Sequence, residues 1–204
     1  MIGYLFMDTI DFMFMVDFSI SFILYIVLAM FFVVDALIHI MIRYSSDEHF
    51  HSKYGTFISY KTVAAFACIA DNIASISYMI GAIFSGNERL LDEVVSYFNL
   101  IGSVGFLMEA CLSMFGWYIV KHNEHSGEND NLHAYAYGCS VVGALLYSAA
   151  AVLNFFVELR IVRLTQIGGD VVYLIDSILF CACWYRLKQK IELKALEVDE
   201  EDYL

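Results

Sequence analysis

Proline is missing from this sequence altogether. Transporters that unwind a helix to build a binding site usually mark the break with glycine and proline interruptions. The helices here are therefore expected to run unbroken, which disfavours a site made from a discontinuous helix. Positive charge is scarce as well: 11 lysines and arginines stand against 23 acids, for a net charge of −12. A nucleic-acid partner needs a basic face, and this composition excludes one.

The motifs of common catalysts are also missing. The sequence has no HExxH, GxSxG, P-loop or GxGxxG, so it reads as a non-enzyme. An intramembrane hydrolase working with two aspartates could draw on Asp35 and Asp71, but nothing marks either as catalytic. No lysine lies within the membrane for a retinal Schiff base, Lys61 standing at the very start of its run, and no ladder of arginines suggests a voltage sensor. The five cysteines, Cys68, Cys111, Cys139, Cys181 and Cys183, all fall in apolar runs and imply no disulfide framework. Cys181 and Cys183 have the wrong spacing for a redox or zinc pair.

Apolar residues, by contrast, are abundant. The chain of 204 residues is 60% hydrophobic, with a mean hydropathy of +0.67. A bilayer core about 30 Å thick takes roughly 20 residues of helix. Five stretches reach that length: Phe18–Ile42, Tyr60–Phe84, Val94–Val120, Ala134–Val157 and Thr165–Tyr185. The expected fold is all-α, a polytopic transmembrane bundle of about five spans with the lipid bilayer as its first partner.

Residues 1–17 carry Asp8, Asp11 and Asp17 in place of the basic start of a signal peptide. They are expected to form an amphipathic or half-inserted helix leading into a bundle over 18–187. The tail, 188–204, is basic first and acidic last and reads as a water-side amphipathic helix that frays. Lysine and arginine gather on one side of the spans, at Arg43, Lys53, Lys61, Lys121, Arg186, Lys188, Lys190 and Lys194. Only Arg89, Arg160 and Arg163 fall on the other side, with outer loops expected near 85–93 and 158–164. The positive-inside rule then puts the N-terminus outside and the C-terminus in the cytoplasm.

Within the spans an acid recurs in a fixed setting. Asp35, Glu109 and Asp176 are each preceded three residues earlier by an aromatic and followed by a small residue. Nine residues after each acid comes a tyrosine: Tyr44, Tyr118 or Tyr185. The pattern suggests two and a half copies of a helix pair. Nine residues of helix rise about 13.5 Å. With the tyrosines as anchors at the membrane boundary, the acids fall near mid-depth. Asp71, ten residues past Lys61 on a span running the other way, reaches the same level. A charge there costs several kcal/mol, and the only cationic candidate inside a span is His39, one turn from Asp35. The acids are expected to face the interior, either protonated, hydrogen-bonded to groups such as Ser103, Tyr147 or Ser148, or paired with a bound cation. The glycine pairs Gly102/Gly105 and Gly138/Gly143 are expected to let helices approach closely.

The segments "NLIGSVGFLMEACLSMFGWY", "YMIGAIFS" and "VVYLIDSILF" resemble the paired membrane helices of YrhK-like proteins. That resemblance implies a multi-span helical architecture and no particular activity. It fails in the fourth span, which keeps small residues without the acid.

Two loops assigned to the cytoplasm carry His49, His51, His122 and His125, which could jointly supply ligands to a divalent metal. The function expected from the sequence is a non-enzymatic scaffold or subunit of a membrane assembly, with homo-oligomers or other membrane subunits as partners. The alternative is a cation or proton pathway through the buried acids.

Overall fold

The structure, a computed structural model, describes residues 2–14, 18–45, 60–85, 92–123, 131–157 and 159–201. Those residues form six helices and no strand: α1 (Ile2–Phe14), α2 (Phe18–Ser45), α3 (Tyr60–Ser85), α4 (Asp92–Asn123), α5 (Asn131–Leu153) and α6 (Leu159–Glu201). In hydrocarbon a backbone must satisfy its own polar groups, and a continuous helix does so. With no proline to remove a donor, nothing in the sequence interrupts these runs. Five of the helices, α2 to α6, are long and apolar enough to cross a membrane. The chain is thus a multi-pass helical membrane protein.

Its packing follows membrane rules. Side chains with no exposure at all include Ala74, Ala136, Ala144 and Ser103, while Phe31 and Met41 are 66% and 69% exposed. Small residues bring the backbones together and bulky apolar ones cover the outside. Gly105 shows the close approach most directly, because a Cβ there would meet Ala74 Cβ at 2.9 Å and the Ala70 carbonyl oxygen at 3.2 Å.

The helices pack in chain order, α2 on α3, α3 on α4, α4 on α5 and α5 on α6. The short α1 lies against both α2 and α6, whose Cα atoms stay more than 8 Å apart among the described residues. Tyr4 of α1 stacks on Phe32 and Asp8 meets Tyr25, so α1 runs antiparallel to the first half of α2. The result is a ring of six elements, five of full height and one of about half.

The ring is built from three like hairpins. Tyr4 pairs with Phe32 at 5.3 Å between ring centroids, Tyr78 with Phe106 at 5.5 Å, and Tyr147 with Tyr173 at 5.8 Å. In the second and third hairpins the tyrosine also lies over a glycine. A Cβ on Gly102 would come within 2.5 Å of Tyr78, and one on Gly169 within 2.8 Å of Tyr147.

Two expectations need correction. The segment 158–164 is not an outer loop beyond residue 158, since α6 already begins at Leu159. Val162 is only 3% exposed, and burying it draws the Leu159–Leu164 run into the helix. The chain reverses instead just after Leu153, where the backbone N–H groups of Asn154 and Val157 donate to Ala150 and Leu153. The Asn154 side chain donates to Ser96 Oγ at 2.8 Å, tying the turn to α4. Gly138 is not a close-approach position either, as a Cβ there meets nothing within 4 Å.

Candidate functional site

The ring encloses a cavity of about 490 Å³ lined by side chains from all six helices. Asp35 of α2, Asp71 of α3, Glu109 of α4 and Asp176 of α6 all line it, and no lysine or arginine does. Three residues before Asp35, Glu109 and Asp176 stand Phe32, Phe106 and Tyr173, one helical turn and about 4.5 Å away. Together with Tyr4, Tyr78 and Tyr147 these make a collar of six aromatic rings in the same lining. The spacing of acid and aromatic along α2, α4 and α6 therefore sets two adjacent tiers, one of carboxyls and one of rings.

Three of the four carboxyls have different partners. Glu109 accepts a hydrogen bond from Ser113 at 2.7 Å, one turn along α4. Asp176 Oδ2 accepts from Ser140 of α5 at 2.8 Å, while its buried Oδ1 has no hydrogen-bond partner. The ring position that Asp71 occupies on α3 belongs to Ser140 on α5, and each stands seven residues before its hairpin's tyrosine. His39 Nδ1 lies 3.2 Å from Asp71 Oδ2. The histidine thus pairs across to α3 rather than along its own helix with Asp35, because the α2–α3 packing brings Asp71 closer. Asp35 is exposed at the edge of the cavity.

Two further voids share lining residues with this cavity. The first is about 490 Å³ and shares His39, Asp71, Glu109, Ser113 and Tyr137 with the central cavity. It reaches Trp117, Val120 and His133, towards the end of the bundle that carries Lys121. The second, about 210 Å³, shares Tyr78 and Tyr147 with the central cavity and reaches Asn99, Asn154 and Arg163 at the opposite end. The three voids are strung along the bundle, divided by a polar cluster on one side and two tyrosines on the other.

Beside those tyrosines lies a second group of acids that sequence reasoning missed. Asp170 of α6 has no exposure at all and Asp8 of α1 has 9%. Tyr147 OH donates to Asp170 and Tyr25 OH donates to Asp8, and the two carboxyls act on each other across the α1–α6 contact. A last span starting at Thr165 would leave Asp170 only five residues from the boundary, where an acid is unremarkable. The true start at Leu159 puts it eleven residues in. The expected partners Ser103 and Ser148 bond elsewhere, Ser103 to Asn99 and Leu100 carbonyls and Ser148 to the Ser103 carbonyl at 3.1 Å.

Of the other sequence-predicted residues, Tyr118 and Tyr185 face outward, 57% and 58% exposed. The side chain of Tyr44 is outside the described residues. So are the metal candidates His49, His51 and His125 and the side chain of His122. Among the described residues no three His, Cys, Asp or Glu groups lie close enough to hold a metal ion. No known family, curated protein or solved structure matches this chain.

Proposed function

We propose that this protein binds cations in the axis of its helical ring and passes them across the membrane. One observation carries the reading: four carboxyls from four helices face a single cavity with no fixed basic side chain in its lining, in line with two further voids. Acids inside a bundle are costly and mark ion or proton pathways. On this reading Asp35, Asp71, Glu109 and Asp176 form a site near mid-membrane, and His39, poised against Asp71, tempers its charge. The lysine and arginine distribution supports a cytoplasmic C-terminus.

The second reading is the scaffold or subunit, in which the acids only hold helices in register. The serine hydroxyls on Glu109 and Asp176 favour it, because a capped carboxyl needs no ion.

Ion flux into liposomes separates the two readings. The wild type is expected to carry a cation-selective flux. Asp35→Asn, Asp71→Asn, Glu109→Gln and Asp176→Asn are each expected to cut it at least ten-fold in monodisperse, fully helical protein. Background flux in the wild type and all four variants would end the transport reading and leave the scaffold.

A further inference from the structure

The shape of the cavity narrows the kind of cation, and the inference rests on the cation-binding reading above. We propose that the ligand is an organic ammonium ion with an apolar body, held between the acids and the aromatic rings of the cavity.

Size is the first argument. At about 490 Å³ the cavity falls within the roughly 300–1,000 Å³ of small-molecule sites, and a bare metal ion would fill little of it. The acids are also spread round the space rather than gathered. No three His, Cys, Asp or Glu groups among the described residues can converge on one ion, so the negative charge suits a cation with bulk. The aromatic collar, one turn from the acids, supplies the second half of the recognition. Ring faces attract alkylated ammonium groups through the cation–π interaction.

The test uses the full chain in lipid nanodiscs, with octyltrimethylammonium as probe and empty nanodiscs subtracted. Calorimetry is expected to show saturable binding. The uncharged analogue with a tert-butyl group in place of trimethylammonium is expected not to bind. The double variant Asp35→Asn/Asp176→Asn is expected to weaken the probe at least ten-fold. Equal binding of the uncharged analogue, or undiminished binding to the double variant, would show mere partitioning and overturn the proposal. If the probe does not bind but acid-dependent flux of potassium or protons persists, this inference fails and the cation pathway stands. If flux is absent as well, both fail.

Discussion

Asp170 has no exposure, and one of its oxygens, Oδ2, lacks any hydrogen-bond partner. The other is satisfied by Tyr147. Removing that hydroxyl leaves a buried acid without its donor, which costs about 1–3 kcal/mol and more if the acid is charged. Tyr147→Phe is therefore expected to lower the apparent melting temperature in detergent, whereas Asp170→Asn, which removes the charge and keeps the shape, is expected to cost less. Equal loss in both would mean that the Tyr147–Asp170 bond is not what stabilises the site. The contrast with Asp35, Glu109 and Asp176 shows what can be read from residues alone. Those acids stand in a repeated setting of aromatic, small residue and tyrosine, and periodicity is visible in sequence. Asp170 has no counterpart in that pattern; its repeat-equivalent position is Ser103. Its importance depends on how deep the helix has carried it and on an α1 acid, Asp8, far away in sequence. His39 makes the same point, since its partner Asp71 lies 32 residues on.

At the level of helices, glycine position separates two roles that composition treats alike. Gly105→Val should force α3 and α4 apart, because the added atoms run into Ala74 and the Ala70 backbone. Overpacking of this kind costs about 1–3 kcal/mol. Gly138→Ala has open space and should be neutral or stabilising by about 0.5–1 kcal/mol through lost backbone freedom. Thermal unfolding of the two variants checks both signs. The existence of five spans was legible because long apolar runs have few alternatives in a membrane. The start of α6 was not, because Arg160 and Arg163 look like loop residues until Val162 is seen to be buried between them. The hairpin repeat was legible on α2, α4 and α6, where acids mark it, and hidden on α1, α3 and α5. There only Tyr4, Tyr78 and Tyr147 reveal it, once each is seen against its partner ring.

The two sides of the spans differ in lysine and arginine content, and the orientation of the whole molecule can be measured. A cysteine introduced at Asn87 is expected to react with a membrane-impermeant maleimide on intact cells. One at Ser126 is expected to react only after permeabilisation. The native cysteines, all within apolar stretches, give little background. The opposite pattern would reverse the assigned topology without touching the fold. At this scale the ring was the least legible feature of all. A list of spans does not say that α1, too short to cross, fills the place between α2 and α6, nor that six rings and four acids line one space.

A ring assembled from hairpins has a particular way of moving. The helices carry no proline to bend at, and the seams within α3–α4 and α5–α6 are closer-packed than those between hairpins. Any widening between Tyr78 and Tyr147, which line both the central cavity and the void beyond it, then has to come from the α3–α4 and α5–α6 hairpins tilting past one another, like the blades of an iris.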